Sequence, residues 1–119
     1  MTTTKEIGNK GEELAVEYLI KHNYQILEKN WRHKHLEVDI IAKKESILCI
    51  IEVKYRSYNT YGEPEVFVNK QKQKFLIEAA NQYINKYNLN EEVRFDIISI
   101  TKSQNGFSVK HIEDAFYAQ

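Results

Sequence analysis

The stretch ILCIIEVK, residues 47–54, is an apolar run that ends in an acidic and a basic residue. Five uncharged residues in succession predict a strand that is buried on both faces. Because side chains alternate along a strand, Glu52 and Lys54 should project from one side while Val53 points into the opposite layer. Charges directly after a buried run indicate either a functional pair or a well-satisfied structural ion pair.

A second strand pattern, LEVDIIA, precedes this run at residues 36–42, and residues 43–46 have the composition of a turn. The two strands should form a hairpin that brings Asp39 close to Glu52. Alternation predicts that Asp39 shares a face with Glu37 and Ile41. Three apolar residues should take the other face: Val38, Ile40 and Ala42.

Two carboxylates a few ångströms apart repel each other unless one takes up a proton or a cation lies between them. Mg²⁺ favours one or two carboxylates together with carbonyl and water oxygens. The pattern therefore predicts a site for Mg²⁺ or Mn²⁺ formed by Asp39, Glu52 and the backbone carbonyl of Val53. Lys54 would orient the attacking water and favour hydroxide, while the metal would stabilise the charge that grows on a phosphate. The competing interpretation is a solvated strand on which Glu-x-Lys has no catalytic role.

The rest of the chain predicts an α/β fold of order αβββαββ, in which a mixed sheet is flanked by two helices. We expect one domain over residues 1–119. The first predicted helix begins near residue 11 and is closed by Asn23, and the second spans residues 69–87. The predicted strands cover residues 24–31, 36–42, 47–55, 93–101 and 107–112. Residues 57–65, which include the only proline, Pro64, form a turn-rich connection.

Each helix contributes one further candidate. On a 3.6-residue wheel Lys72 falls among Leu76, Ala79, Ala80, Tyr83 and Tyr87, and it should point towards the sheet. The alternative is that Lys72 extends past the edge of the core into solvent. Glu12 borders the apolar stripe of the first helix and could reach the same cluster, although an acid near a helix start also favours the helix dipole.

Charge patterning gives local information only, because 17 basic residues balance 17 acidic ones. Basic residues cluster around the predicted site, and we take four as candidate nucleic-acid contacts: Arg32, Arg56, Lys70 and Lys74. Tyr58 and Tyr61 lie in the turn-rich segment, where exposed rings could stack on bases. His33 and His35 have no partner at ligand spacing, so no zinc site is expected. Arg94 and Asp96 are interpreted as a structural ion pair.

Cys49 is the only cysteine, which excludes an internal disulfide and predicts a packed, inert thiol. The start of the chain lacks the apolar core of a signal peptide, and residues 47–51 are too few to cross a bilayer. We therefore expect a cytoplasmic protein without a membrane partner.

The motifs of nearly the whole chain resemble those of the YraN-like bacterial proteins, a family of the PD-(D/E)xK nuclease superfamily. The similar motifs are Gly8-x-x-Gly11-Glu12-x-x-Ala15, Asn30-x-Arg32, Glu37-x-Asp39-Ile40-Ile41-Ala42, Ile51-Glu52-Val53-Lys54-x-Arg56, Gly62-x-Pro64, Lys72, Arg94-Phe95-Asp96 and Ile112-x-x-Ala115-Phe116.

The resemblance implies a restriction-endonuclease-like fold and phosphodiester hydrolysis. It matches Asp39, Glu52 and Lys54 to the catalytic triad, Glu12 to the acid of the first helix and Lys72 to the basic residue of the following helix. Leu36 stands where the family usually has glycine. Superfamily relatives that resolve Holliday junctions imply a DNA substrate, branched DNA included, and a homodimer.

Two further function classes stay open at the level of sequence. The chain could be a nucleic-acid-binding module without turnover that acts in DNA repair, recombination or uptake. It could also be a structural or interaction protein, which would require Asp39 and Glu52 to lie far apart.

Overall fold

The computed structural model describes residues 4–57 and 68–118, which form two helices and five strands. In chain order these are α1 (Thr4–Lys21), β1 (Gln25–His33), β2 (Leu36–Lys44), β3 (Ile47–Ser57), α2 (Lys70–Tyr87), β4 (Glu92–Ser103) and β5 (Gly106–Phe116). The predicted order αβββαββ is confirmed. The turn-rich segment with Pro64, Tyr58 and Tyr61 lies outside the described residues.

The five strands form one mixed sheet in the order β1-β2-β3-β4-β5. β3 and β4 are parallel, and the other neighbouring strands are antiparallel. The parallel pair requires a crossover, and α2 lies in that connection. β3 therefore occupies the centre of the sheet, where its apolar run is covered on both faces, as the sequence predicts.

A hydrophobic core lies on each face of the sheet. On one face, Leu48 and Ile50 of β3 pack with Leu76, Ala79 and other residues of α2. On the other face, Cys49 and Ile51 of β3 pack with Ala15 and Leu19 of α1. We call these faces the α2 side and the α1 side. The division confirms the predicted alternation along β3.

Cys49 is fully buried in the core of the α1 side. Burial, with a smaller contribution from Asp96, raises the pKa of its thiol to about 12. Because the thiolate is the reactive form, this cysteine acts as a small apolar residue, as expected.

The alternation predicted for β2 is wrong at its middle. Val38 packs on the α2 side, whereas Ile40 and Ala42 pack on the α1 side. The phase therefore changes at Asp39. The change coincides with Asn30 on β1, whose φ of 53° lies in the left-handed region. Asparagine adopts that conformation more readily than most residues, which permits an irregular strand here.

The helices differ from prediction mainly at one end. α1 begins at Thr4 and not near residue 11. The prediction missed this first part because residues 4–10 contain a single apolar residue, Ile7, and so show no helical period. α2 begins as predicted, since the side chain of Asn69 accepts a hydrogen bond from the amide of Lys72 and caps the helix. Tyr87, assigned to the buried stripe, is instead 46% exposed at the last turn.

A buried polar cluster joins β4 and β5 on the α1 side. The carboxylate of Asp96 accepts hydrogen bonds from Arg94 Nε at 2.9 Å, from Arg94 Nη2 at 2.8 Å and from the amide of Asp114 at 3.0 Å. His111 Nε2 lies 2.7 Å from the same carboxylate. The predicted Arg94–Asp96 ion pair is confirmed as part of this larger network.

Among the described residues, neither helix combines the length and the apolar character that a membrane span requires.

Candidate functional site

The candidate site lies where β2 and β3 stop pairing. Their ladder runs from Lys44 opposite Ile47 to Ile40 opposite Ile51 and ends there. One position further along β2, the acceptor is a side chain and not the backbone: Asp39 Oδ2 accepts a hydrogen bond of 2.8 Å from the amide of Val53. A carboxylate thus satisfies a backbone donor that the neighbouring strand no longer reaches.

Asp39 and Glu52 lie in direct contact at this point. Burial is the largest influence on Asp39. The hydrogen bond that protonated Asp39 donates to Glu52 and the negative charge of Glu52 add to it, so the pKa of Asp39 is raised to about 7. The Val53 amide and the Lys72 ammonium act in the opposite direction without offsetting these effects. The predicted proximity of the two acids is confirmed. The positive charge around the pair does not balance the negative charge of two ionised carboxylates.

Lys72 reaches this pair from the first turn of α2. Its Nζ lies 3.3 Å from Glu52 Oε2, and the side chains are 39% and 14% exposed. The predicted orientation of Lys72 towards the sheet is therefore confirmed, and the alternative in which it extends into solvent is not. Its chemical role stays a prediction.

Lys54 and Arg56 continue along β3 from Glu52. Since Leu48 and Ile50 face the α2 side, alternation places Glu52 and Lys54 on that same side. Both basic residues are half-buried. Lys54 thus follows Glu52 on one face, as predicted, while Val53 packs against the core of the α1 side.

Glu12 approaches Asp39 from the α1 side. It lines a cleft of about 390 Å³ together with Asp39, Asn30 and Lys29. Burial is the main cause of a raised pKa for Glu12, the side chain of Asn30 lowers it by donating a hydrogen bond, and repulsion from Asp39 raises it further. Asp39 therefore connects Glu12 on one side of the sheet with Glu52 on the other.

Sequence reasoning missed Asn30 as a site residue. Its side chain hydrogen-bonds Glu12, and its left-handed backbone lies opposite Asp39, between Lys29, which pairs with Ile40, and Trp31, which pairs with Val38. An asparagine inside a strand pattern was the available signal, because asparagine is depleted from strands and tolerates a positive φ.

The candidate nucleic-acid contacts lie on three elements that also carry residues of the site, β1, β3 and α2. Lys70 and Lys74 are exposed in the first two turns of α2, beside Lys72. Arg32 of β1 is 73% exposed and forms a long ion pair of 3.5 Å with Glu37. Such an exposed pair contributes little to stability, so the Arg32 guanidinium is available to a partner.

The donor set fits a hard cation that shares its coordination shell with substrate and water. Within residues 4–57 and 68–118, no three His, Cys, Asp or Glu side chains converge as a metal-binding group. Two carboxylates in contact, one with a raised pKa, still suit Mg²⁺, which uses one or two carboxylates and leaves room for phosphate oxygens and water. The structure gives a contact for the amide of Val53, and its carbonyl as third ligand stays a prediction.

The mixed sheet, with a helix on each side and acids at the end of a central hairpin, is the architecture of restriction-endonuclease-like α/β proteins.

The comparisons with known proteins agree with this class. Residues 11–100 match the model of the uncharacterised protein family UPF0102. A UPF0102 protein of Flavobacterium johnsoniae is 48% identical, with 98% of each chain covered, and one of Parabacteroides distasonis is 43% identical, with 99% of this chain and 98% of its own covered. A UPF0102 protein of Clostridium beijerinckii is 45% identical over 94% of both chains. This chain belongs to the UPF0102 family, the YraN-like family of PD-(D/E)xK nuclease-like proteins.

Proposed function

We propose that this protein is a nuclease that uses Mg²⁺ or Mn²⁺ to hydrolyse phosphodiester bonds, with DNA, branched DNA included, as its substrate. The observation that carries the proposal is the contact between the Asp39 and Glu52 carboxyls at the end of the β2–β3 ladder. Holding two acids together costs free energy because their charges repel. A divalent cation between them would relieve this repulsion, which would favour its binding.

The proposed division of roles follows from position. Asp39 and Glu52 would hold the cation, which supplies positive charge for the phosphate and increases the acidity of water. Lys54 would orient the attacking water and stabilise charge that develops on the phosphate. Glu12 would support Asp39 through the cleft that they share. Arg32, Arg56, Lys70 and Lys74 would bind the phosphate backbone.

The alternative function is nucleic-acid binding without turnover. The ion pair between Lys72 and Glu52 favours it, because an ammonium already neutralises one of the two acids. A phosphate would then meet less repulsion at the site in the absence of a metal. The two functions differ in whether any bond is broken.

A cleavage screen separates them. Wild-type protein would be incubated with linear, flapped and four-way DNA and with RNA, in Mg²⁺ or Mn²⁺, beside Asp39→Asn. We expect wild type to cleave at least one of these substrates and Asp39→Asn to lose the activity. Glu78→Gln, which neutralises an exposed acid of α2, is the matched control and should cleave like wild type. Absence of cleavage by wild type on every substrate would favour the binding module.

Lys54→Ala tests the chemical role of Lys54 on the substrate that the screen identifies. Both carboxylates stay in place, so binding measured in Ca²⁺ should mostly survive, with the salt dependence reduced by about one unit of slope. Cleavage in Mg²⁺ should fall about a hundredfold or more, because a positioned group is lost. Lys110→Ala removes an exposed lysine of β5 and serves as the control. Undiminished cleavage by Lys54→Ala would refute the role.

A further inference from the structure

Lys72 is positioned to compensate the charge of the acidic pair. Asp39 and Glu52 contribute two carboxyls in contact, and the Lys72 ammonium, 3.3 Å from Glu52 Oε2, is their nearest ion-pair partner among the described residues. The Glu52 side chain is 14% exposed and that of Lys72 is 39% exposed, so water reaches the ammonium and screens the ion pair in part.

The structure of α2 explains how the ammonium is held there. Asn69 caps the helix through the amide of Lys72 itself, at 2.9 Å. The side chain of the next residue, Gln73, donates to the carbonyl of Val68 at 2.8 Å, which fixes the chain as it enters the helix. The backbone of Lys72 is thus anchored, while its flexible four-carbon stem still allows the ammonium to move.

We propose, on the basis of the metal site proposed above, that Lys72 is an internal counter-ion of Glu52 that a divalent cation displaces. The ammonium and the cation are alternatives at the same carboxylate, because both need its negative charge and Oε2 already contacts Nζ. Displacement would free Lys72, which would then lie beside the bound cation on the face that carries Lys54. Cation binding would thereby present an additional positive charge to a substrate phosphate.

This role differs from that of a metal-positioning residue in the sign of its effect. A residue that helps to hold the cation lowers cation affinity when it is removed. A counter-ion that competes with the cation raises cation affinity when it is removed.

Calorimetric titration with Mn²⁺ at fixed pH, without nucleic acid, measures that sign. We expect Lys72→Gln to bind Mn²⁺ roughly five- to fiftyfold more tightly than wild type, as expected for removal of a nearby positive charge. Lys72→Arg keeps the charge and should not exceed wild-type affinity. Lys86→Gln removes an exposed lysine from the last turn of the same helix, away from the site, and is the matched control. Equal or weaker binding by Lys72→Gln overturns the proposal.

Thermal unfolding gives a second readout that does not depend on activity. In EDTA, Lys72→Gln should melt below wild type, because the two acids lose their counter-ion. Saturating Mn²⁺ should remove or reverse that difference. A Lys72→Gln protein that is unfolded in EDTA and folds on addition of Mn²⁺ supports the proposal, and one that stays unfolded in Mn²⁺ overturns it.

Asp39→Asn separates the failure of this proposal from the failure of the proposed function. If Asp39→Asn binds Mn²⁺ as wild type does, the cation is not held by the pair, and the proposed function loses its site whatever Lys72 does. If Asp39→Asn weakens binding and Lys72→Gln does not strengthen it, the metal site stands and the counter-ion role alone fails.

Discussion

Two opposing interactions act on the Asp39 carboxyl. As a carboxylate it satisfies the Val53 amide where the strands separate, and as a neighbour of Glu52 it is repelled. The placement of Glu52 and Lys54 on one face of β3 could be predicted from strand alternation, and the approach of Asp39 to Glu52 from the length of the hairpin. The Val53 hydrogen bond could not, because it depends on where pairing between β2 and β3 stops, which no local pattern encodes. For Asn30 the local signal was an asparagine inside a strand pattern, and that signal does not reveal its contact with Glu12.

The raised pKa of Asp39 predicts how the metal-free protein responds to pH. The folded value is about 7, above the ordinary value of 3.8, so between these values the folded state holds a proton that the unfolded state has lost. The free energy of unfolding should therefore fall as pH rises through this window, by about 1–3 kcal/mol from this residue. Asp39→Asn should remove that part of the slope.

Chemical denaturation in EDTA at pH 5 and pH 8 measures the effect. The free energy of unfolding should fall more between pH 5 and pH 8 in wild type than in Asp39→Asn. Mg²⁺ should restore stability at pH 8 in wild type and not in the variant. Glu45→Gln, an exposed acid in the turn between β2 and β3, is the control. An identical pH dependence in wild type and Asp39→Asn would contradict the account.

At the scale of elements, α2 shows what the sequence encodes well and β2 shows what it does not. The helix has a period of buried residues and a capping asparagine, both of which are local signals. In β2 the alternation changes phase at Asp39, opposite the left-handed backbone of Asn30 on the neighbouring strand. Strand pairing is a long-range property, so simple alternation placed Val38 on the wrong face.

The cap of α2 links helix stability to the site. Asn69→Ala removes the acceptor for the Lys72 amide and should cost about 1 kcal/mol of the free energy of unfolding. The first turn should fray, which would loosen the contact between Lys72 and Glu52. Asn69→Ser, which retains a capping oxygen, should recover most of the loss. Denaturant unfolding compares the three proteins, and an Asn69→Ala protein as stable as wild type would show that the cap has no such role.

At the scale of the whole molecule, the Asp96 cluster ties together parts of the chain that are distant in sequence. Arg94 Nη2 donates to the hydroxyl of Tyr24 at 2.6 Å, and His111 lies 3.2 Å from the hydroxyl of Tyr18 on α1. Asp96 is adjacent to Ile51 in the sheet, one residue before Glu52. The network thus supports the strand that carries the site. Only the Arg94–Asp96 pair, two residues apart, could be predicted from the sequence.

Asp96→Asn should destabilise the fold strongly. Burial would raise the pKa of Asp96, but hydrogen bonds from His111 and Arg94 outweigh it, and the pKa is lowered. The stability that this charge contributes is therefore present above the unfolded pKa, near 4, and is lost as pH falls through the lower folded value.

We expect a loss of about 3–5 kcal/mol in Asp96→Asn at neutral pH, because a buried charge network loses its centre. Arg32→Ala, which breaks the exposed pair with Glu37, should change stability by less than about 1 kcal/mol. Chemical denaturation between pH 7 and pH 3 compares these variants with wild type. A loss in Asp96→Asn as small as that in Arg32→Ala would mean that the network does not stabilise the sheet.

The central claim is that Asp39 and Glu52 hold one divalent cation where β2 and β3 separate. Anomalous diffraction from crystals grown with Mn²⁺ locates that cation directly. The account predicts an anomalous peak within about 2–2.5 Å of a carboxylate oxygen of both residues, the usual range for hard cations on oxygen, and no such peak in crystals of Asp39→Asn. A peak that is absent from wild type, or that lies away from this pair, would contradict the claim.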